Sequence, residues 1–347
     1  MSAVPTRPGA CPEAAPPLPR IGFLGVGWIG ANRMQGLLRS GGVECCGVAD
    51  HDRGAVRAAA ALAPHALAGS SLDDLLALSP DGIVIATPSA LHAEQAVRAL
   101  EAGVAVFCQK PLARDAGETS SLLEAARRAD RLLAVDLSYR HTTAMAAVAD
   151  AVRAGQLGDI YAIELVFHNA YGPDKPWFMR RSTAGGGCLL DLGTHLLDLA
   201  LWLTGAAGAS IEAATLLRRG AALSPAAEDV EDFAVAQLRA DSGVTIRLAC
   251  SWWLPVGRAC AIECTLYGTR GSASMRNVGG SFYDFRAELR TGTATQTLVE
   301  PPDDWGPRAI TVWAQQLARG QRFDDRGAEE LQRLADTLDA IYARSAQ

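Results

Sequence analysis

The sequence predicts an α/β domain built on a doubly wound parallel sheet, followed by an α+β domain with a mostly antiparallel, open sheet. Three observations support this prediction. Short apolar runs alternate with helical segments from Arg20 to about Tyr139, and runs typical of hairpins appear only after residue 208. Between these two patterns, residues 185–205 form a helical segment that is apolar over most of its circumference.

The first half of the chain is an alternation of strands and helices. The run "RIGFLGVG" from Arg20 is apolar and ends in glycines, and "WIGANRMQGLLRSGG" after it has helical spacing and a glycine stop. The apolar runs "ECCGVAD", "GIVIATP", "AVFCQK" and "LLAVDLSY" follow, with helical segments between them. Nearly continuous apolar strands separated by helices indicate a parallel sheet covered on both faces. We therefore divide the chain into a disordered tail (1–19), a dinucleotide-type domain (20–139) and a second domain (140–347).

The turn "GVGWIG" has the spacing of a dinucleotide-binding motif. Gly25 permits the tight turn, Gly27 lets the backbone approach a pyrophosphate, and Gly30 lets the helix pack close to the strand. Trp28 and Ile29 lie within the same turn and are expected to contact the cofactor as well. The alternative is that these glycines are ordinary loop residues.

Asp50 ends the next strand, where a carboxylate can accept hydrogen bonds from an adenosine ribose. A carboxylate there would repel a 2'-phosphate, so NAD is favoured over NADP. His51 and Arg53 lie close enough to weaken this preference. If Asp50 is only a helix cap, the preference does not follow.

Polar residues also follow the next two strands, and ligands of open parallel sheets bind beyond such strand ends. One strand end carries Thr87 and Pro88, with His92 a helical turn later, and the other carries Gln109 and Lys110. Only two of the 32 lysine and arginine residues are lysines, which makes Lys110 unusual. Lysine is compact and can exchange a proton, whereas arginine stays charged. The alternatives are an exposed helix residue for His92 and a solvated strand end for Lys110.

The helix within residues 185–205 carries a narrow polar stripe. At about 100° per residue, Asp191, Thr194, His195 and Asp198 lie on one side of an otherwise apolar helix. Such a helix is largely buried, with its polar stripe facing a cavity or an internal network. Asp191 and His195 could act on one small molecule or bond to one another, so a carboxylate that holds a core histidine is the alternative. We predict no metal site here, although Asp191, His195 and Asp198 could supply three ligands.

The segment "HNAYGPDKPWFMRRSTA" combines aromatic residues, arginines and turn residues, and does not fit a regular core element. It is interpreted as a substrate-facing loop with Trp177 and Arg180 as binding residues, or else as an oligomer contact.

Composition excludes several classes of protein. The net charge of -6 and the lack of a basic stripe argue against nucleic acid and anionic lipid as partners. No run of about 18 apolar residues predicts a membrane span. Eight cysteines, several in apolar runs, are read as free thiols in a reducing cytoplasm, and Cys260 and Cys264 lack a second ligand pair for zinc.

Taken together, the motifs resemble the Gfo/Idh/MocA oxidoreductases, the group of glucose-fructose oxidoreductase and inositol dehydrogenases. The glycine turn, "ATPSALH", "FCQKPLA", "YRH" and "GGGCLLDLGTHLLDLALWLTG" occur in that family's order, and the resemblance covers essentially everything after residue 19. It implies NAD(P)-dependent interconversion of a secondary alcohol and a ketone on a sugar, cyclitol, aminosugar or glycoside. It also implies a homodimer or homotetramer.

The resemblance assigns the reacting centre to Lys110, Asp191 and His195. We expect His195 to act as acid and base, Lys110 to stabilise charge on the reacting oxygen, and Asp191 to orient His195 or hold a substrate hydroxyl. Arg140 and Thr194 are expected among the substrate-binding residues. The sequence departs from the family at Gln109, where a glutamate is frequent. NAD-dependent glycoside hydrolysis through transient oxidation, and a non-catalytic nucleotide sensor, remain alternatives.

Overall fold

The first domain is a six-stranded parallel sheet with helices on both faces. The computed structural model describes residues 17–224 and 227–346, so most of the expected tail lies outside the described residues. Within these ranges the sheet has the strand order β3-β2-β1-β4-β5-β6. Its strands are β1 (Arg20–Leu24), β2 (Glu44–Ala49), β3 (Leu67–Gly69), β4 (Gly82–Ile85), β5 (Ala105–Cys108) and β6 (Leu133–Val135). This confirms the predicted doubly wound parallel sheet.

The helices of this domain begin where the sequence provides caps. Asp52 accepts a hydrogen bond from the Gly54 N–H, and Asp115 accepts one from the Glu118 N–H, each at the start of a helix. The helices are α1 (Trp28–Arg39), α2 (Arg53–Leu62), α3 (Leu72–Leu76), α4 (Ser89–Glu101) and α5 (Ala116–Ala129). The sequence order changes direction between β1 and β4, which is where such sheets bind ligands.

The second domain is a nine-stranded mixed sheet within the described residues, in the order β15-β14-β13-β12-β7-β11-β10-β8-β9. Only the β7–β11 pair among these neighbours is parallel, so the sheet is mostly antiparallel as predicted. In β10, alternate residues are buried and exposed, because one face packs on helices and the other does not. The strands are β7 (Ile160–Asn169), β8 (Ala209–Arg218), β9 (Ala221–Ala222), β10 (Phe233–Ala240), β11 (Thr245–Ser251), β12 (Cys260–Gly268), β13 (Ser272–Asn277), β14 (Phe285–Thr291) and β15 (Ala294–Val299).

The apolar helix of the sequence is interrupted by a wide turn. Leu189–Gly193 is a π-helical turn that leads directly into α8 (Thr194–Thr204). The helical run Arg181–Thr204 is long and apolar enough to cross a membrane by composition, but most of it is buried inside the fold, as in a core helix. The other helical elements of this half are a 3-10 turn (Ser138–His141), α6 (Thr143–Arg153), a 3-10 turn (Pro176–Met179), α7 (Arg181–Ala184), α9 (Arg308–Ala318) and α10 (Asp325–Ser345).

After the second sheet, the chain returns to the first domain. Trp313 of α9 is fully buried and its ring centroid lies 5.7 Å from that of Phe107 in β5. The same indole packs where Gly82 leaves room at the start of β4. Helix α9 completes the core of the first domain, although it lies far beyond residue 139 in the sequence. The first domain therefore consists of the segment up to about residue 139 together with α9.

Candidate active site

Lys110 and Asp191 come from different domains and meet at the centre of the candidate site. Lys110 is the second residue after β5, and Asp191 lies in the π-helical turn before α8. The Lys110 ammonium donates to the Asp191 carboxylate in a close ion pair and to the Asp191 main-chain carbonyl at 2.9 Å. Both side chains keep about a fifth of their surface exposed, 20% and 19%, so a small molecule can still reach them.

Trp252 holds the other oxygen of the Asp191 carboxylate. Its indole Nε1–H donates to Asp191 Oδ2 at 3.1 Å, and the ring is almost fully buried. Asp191 is therefore fixed from two sides, by Lys110 through Oδ1 and by Trp252 through Oδ2. Sequence reasoning missed Trp252, although the adjacent pair "WW" at the end of a predicted strand was a visible signal.

His195 lies in the first turn of α8, packed edge-on against Tyr139 with ring centroids 4.8 Å apart. Its Nδ1 is buried and has no hydrogen-bond partner among the described residues. Burial, together with the positive charges of Lys110 and Arg33, holds the pKa of His195 well below the ordinary histidine value. The imidazole is therefore neutral at neutral pH.

The expected orientation of His195 by Asp191 is not found. Asp191 bonds to Lys110 and Trp252 instead, and the π-helical turn changes the angular spacing between positions 191 and 195. The turn itself is held by Glu231, whose buried carboxylate accepts the N–H groups of Gly187 at 2.9 Å and Leu189 at 3.0 Å. Glu231 was not identified from the sequence because it lies on a distant segment.

Two residues expected to bind substrate, Thr194 and Arg140, have partners inside the protein in this structure. The Thr194 hydroxyl donates to the Leu190 carbonyl at 2.5 Å and is buried. The Arg140 guanidinium bonds both oxygens of Asp198, at 2.8 Å and 2.5 Å, and the Glu330 carboxylate at 2.8 Å. Half of the polar stripe on the helix, Thr194 and Asp198, therefore belongs to internal contacts.

His92 is likewise a structural link and not an open cofactor contact. The ring is almost completely buried, with Nδ1 2.7 Å from the Pro111 carbonyl oxygen and Nε2 2.7 Å from the Thr87 carbonyl oxygen. It ties the loop after β4 to the loop after β5, directly beside Lys110. The Thr87 side chain donates to Gln95 at 2.6 Å, Pro88 is the N-cap residue of α4, and both residues are half-buried.

Gln109 faces away from the ion pair, toward a buried carboxylate that the sequence did not single out. Its Nε2 donates to Asp136 Oδ2 at 2.5 Å, and Arg33 Nε donates to the same oxygen at 2.6 Å. Asp136 is 1% exposed, and its Oδ1 has no hydrogen-bond partner among the described residues. Asp136 follows β6 and Arg33 lies in α1, so three segments meet at this point.

The glycine turn fits a bound dinucleotide in its geometry. Gly25 has φ +83°, and a Cβ there would lie 2.6 Å from the Ala86 backbone, so only glycine is accommodated. A Cβ at Gly30 would lie 2.0 Å from the Gly25 carbonyl oxygen, because the helix packs against the turn. A Cβ at Gly27, by contrast, would meet nothing within 4 Å, which leaves the backbone open to an approaching pyrophosphate. Ile29 is half-buried behind this opening.

The start of α1 and the end of β2 complete the dinucleotide site. No side chain caps α1 at Gly27, so the N–H groups of its first turn can bind phosphate oxygens. Trp28 stands 74% exposed at the same helix end. Asp50 accepts the Val26 N–H at 2.8 Å through Oδ2, which holds its carboxylate beside the glycine turn, and His51 Nδ1 lies 2.9 Å from Oδ1. These features suit a nicotinamide dinucleotide.

The loop with Trp177 and Arg180 contacts Trp252, the partner of Asp191, through Phe178, whose ring packs edge-on against the indole with centroids 6.3 Å apart. Trp177 stacks on Phe178 at 3.8 Å, and Arg180 is exposed and pairs through its backbone with Asp229. A cavity of about 580 Å³ lies near this end of the second sheet, against Trp252. Its lining is aromatic and charged, and comprises Leu217, Arg219, Gly220, Asp232, Phe233, Trp252, Trp253 and Leu254.

Among the described residues, no group of three histidine, cysteine, aspartate or glutamate side chains is arranged to hold a metal ion. In residues 17–224 and 227–346, Asp198 bonds to Arg140 and Asp191 to Lys110, so two of the three ligands considered from the sequence are engaged.

Comparisons with known proteins match both domains. The family model described as an oxidoreductase family with an NAD-binding Rossmann fold matches residues 19–137. The model described as the GFO/IDH/MocA C-terminal domain matches residues 145–274.

Individual relatives agree with the family match. A protein of Amycolatopsis mediterranei (strain S699), provisionally named the UDP-kanosamine synthase oxidoreductase subunit, is 31% identical over 81% of this chain and 82% of its own length. The dTDP-3,4-didehydro-2,6-dideoxy-alpha-D-glucose 3-reductase of Streptomyces violaceoruber is 30% identical over 75% and 76%. The crystal structure of GenD2 from gentamicin A biosynthesis, in complex with NAD, has a TM-score of 0.80 and 25% identity over 98% of both chains.

Proposed function

The chain belongs to the Gfo/Idh/MocA family of NAD(P)-binding sugar oxidoreductases, and from this premise we propose that it interconverts a secondary alcohol and a ketone on a sugar ring, with NAD as its cofactor. The single observation that carries the proposal is the contact between Lys110 and Asp191 across the two domains. It brings a cation and a carboxylate together beyond the carboxyl ends of the parallel strands, which is where a bound dinucleotide lies.

The chemistry divides between the cofactor and the protein. When bound, the nicotinamide accepts or returns the hydride of the carbinol carbon. Lys110 donates a hydrogen bond to the reacting oxygen and stabilises the negative charge that develops there. Asp191 keeps the ammonium in place through its carboxylate and its carbonyl.

His195 receives the hydroxyl proton in the direction of oxidation and returns it in the direction of reduction. Its lowered pKa keeps the imidazole neutral, so one ring nitrogen carries no proton and can accept one, and the low pKa makes the resulting imidazolium a strong acid that returns the proton in the direction of reduction. The buried Nδ1 lacks a partner among the described residues, and Tyr139 fixes the ring plane by edge-on packing. Because Asp191 does not bond to His195, Asp191 acts on Lys110 and on substrate hydroxyls in this scheme.

The substrate class we propose is a hexopyranose, an aminosugar, or either sugar carried on a nucleotide or glycoside. The named relatives support this class, since one acts on a dTDP-linked sugar at position 3 and another is part of a UDP-kanosamine synthase. The cavity against Trp252 supports it as well, because Trp253 and Phe233 offer aromatic faces while Asp232 and Arg219 offer polar groups.

NAD is proposed over NADP because of Asp50. Its carboxylate is fixed beside the glycine turn by the Val26 N–H, where it accepts ribose hydroxyls and repels a 2'-phosphate. We further propose a reducing cytoplasm as the working compartment, since all seven cysteines of the described residues are free and buried.

A homo-oligomer is also proposed. The face of the second sheet away from the helices carries the exposed Val235 and the cross-strand pair of Arg247 with Glu164 at 3.1 Å. A second copy of the chain is a natural cover for such a face. Light scattering coupled to size-exclusion chromatography measures the oligomeric state directly. A monomer at micromolar concentration contradicts this part of the proposal.

The function is tested by measuring reduced nicotinamide with a panel of substrates, using NAD and NADP in parallel. The panel comprises aldoses, aminosugars, inositols, alkyl glycosides, and UDP- and dTDP-linked hexoses. We expect net NADH formation with at least one sugar, and a kcat/KM at least about tenfold higher with NAD than with NADP. Release of an aglycone without net NADH would assign the protein to glycoside hydrolysis instead, and no turnover despite tight NAD binding would indicate a sensor.

A further inference from the structure

Three side chains from separate segments converge on one carboxylate oxygen beside the active site. Asp136 Oδ2 accepts Gln109 Nε2 at 2.5 Å and Arg33 Nε at 2.6 Å. All three residues are buried, with exposures of 6% for Gln109, 6% for Arg33 and 1% for Asp136. At this burial such bonds are strong, and removing one partner is costly.

The carboxylate decides which way the Gln109 amide faces. A carboxylate is only an acceptor, so the side of the amide that faces Asp136 has to be the NH2 group. The amide oxygen consequently points away from Asp136 and can accept a hydrogen bond. An amide without such a neighbour could present either its oxygen or its nitrogen at the same place.

The same carboxylate accounts for the residue type at position 109. A glutamate there would place a second carboxylate in hydrogen-bond contact with Asp136, and two such groups cannot both be ionised. Arg33 already forms the ion pair that neutralises Asp136. Asp136 therefore gives a physical reason for an amide, and against a second carboxylate, at position 109 of this chain.

The position of this cluster relates it to the cofactor. Gln109 directly precedes Lys110 at the end of β5, and Asp136 directly follows β6. Bound dinucleotides extend across the carboxyl ends of such strands, away from the glycine turn after β1. The oxygen of Gln109 is thus an acceptor on the side of the sheet where Lys110 reaches the reacting centre.

We propose that Asp136 is a positioning residue for the dinucleotide: with Arg33 it locks Gln109 so that the amide oxygen accepts a hydroxyl of the nicotinamide-side ribose. The inference rests on the proposed function, because it requires a bound dinucleotide. It assigns a role to two residues, Asp136 and Arg33, that the catalytic scheme does not use.

The test compares three ligands by isothermal titration calorimetry: ADP, which lacks the second ribose, ADP-ribose, which has it, and NAD. The variants are Gln109→Met, Gln109→Glu, and the exchange variant Gln109→Glu with Asp136→Asn. The Met variant keeps the size of the side chain and removes the acceptor. We expect it to bind ADP-ribose and NAD about three- to tenfold more weakly and ADP unchanged.

The exchange variant tests the lock itself. Gln109→Glu alone should weaken ADP-ribose binding at least as much as the Met variant, because the two carboxylates repel. Adding Asp136→Asn restores an amide–carboxylate pair with the roles reversed, so binding should return to within about threefold of the wild type. Circular dichroism and thermal melts on every variant identify any that do not fold. If Gln109→Glu does not fold, the comparison of Gln109→Met with the wild type still tests the proposal.

Three outcomes overturn the proposal. The first is equal binding of ADP-ribose by the Met variant and the wild type, and the second is a loss that is the same for ADP as for ADP-ribose. The third is a folded exchange variant that recovers no affinity. These outcomes leave the proposed function intact as long as the wild type binds NAD, whereas a wild type that binds neither NAD nor NADP removes the proposed function and this inference together.

Discussion

The ammonium of Lys110 contacts two groups of a single residue, the carboxylate and the main-chain carbonyl of Asp191. Lys110 belongs to the first domain and Asp191 to the second, so this contact spans the cleft between the two sheets. The position of the cation therefore depends on the backbone of the π-helical turn as well as on a charge. Four predictions follow from this contact and its surroundings.

Replacing Lys110 should separate catalysis from cofactor binding. We expect Lys110→Met to lower kcat by about 10²- to 10³-fold, because a donor to the developing oxyanion is lost, with NAD affinity within about threefold of the wild type. Lys110→Arg should recover little activity, since the planar guanidinium does not fit the two-point contact with Asp191. Steady-state kinetics and NAD titration measure both quantities. Turnover within about tenfold of the wild type in the Met variant would remove Lys110 from the mechanism.

Two adjacent tryptophans offer a matched comparison. Trp252→Phe removes the Nε1–H donor to Asp191 Oδ2, and we expect kcat/KM to fall about tenfold or more, because a hydrogen bond to a charged group is lost. Trp253 is 45% exposed and lines the proposed substrate cavity, where phenylalanine keeps an aromatic face, so Trp253→Phe should act on KM and leave kcat within about twofold of the wild type. Equal effects of the two substitutions on kcat would argue against the role of the indole N–H.

The lowered pKa of His195 predicts a loss of stability in acid. An unfolded chain binds a proton near pH 6.5 that the buried, neutral imidazole of the native state does not, so stability falls as the pH drops below about 6.5. One such group contributes up to about 1.4 kcal/mol per pH unit to the slope. Urea unfolding of the wild type and His195→Asn at pH 5, 6, 7 and 8 measures this slope, which should be shallower in the variant. The exposed His65→Asn serves as control and should keep the wild-type slope.

His92 should matter for stability and for the placement of Lys110. His92→Phe removes the one N–H that a neutral imidazole can donate to the carbonyl of Thr87 or of Pro111, and we expect the free energy of unfolding to drop by about 1 kcal/mol or more. Because Pro111 directly follows Lys110, kcat should decrease as well, while His65→Phe on the surface should change neither quantity. Thermal melts and steady-state kinetics are the measurements. An unchanged melting temperature would contradict the link between the two loops.

The sequence was sufficient for the elements whose signal is local. The apolar alternation of the first half and the glycine turn predicted the sheet, and Gly25 has the positive φ that its position in the motif requires. The sequence also singled out Lys110 and Asp191, which the structure brings into contact, because a rare lysine and a polar stripe on an apolar helix are visible in the chain itself.

The pairing of distant side chains was not predictable in the same way. The stripe on the apolar helix was expected to face either a cavity or an internal network, and the bond of Asp198 to Arg140 places Asp198 in the network, which nothing local to either residue shows. Periodicity at 100° per residue also assumes a regular helix. The π-helical turn before α8 is stabilised by the carboxylate of Glu231, which lies on a distant segment of the sequence.

Helix α9 was missed for a related reason, and it affects how the protein forms. Trp313 and its neighbours fill a core whose other members are synthesised far earlier in the chain. On the ribosome, the nascent first sheet therefore keeps part of one apolar face uncovered until α9 has emerged, after the whole second sheet. The cofactor-binding half is therefore completed only after the second sheet has been made, and a gene fragment ending near residue 139 encodes all six of its described strands without the helix that completes their core.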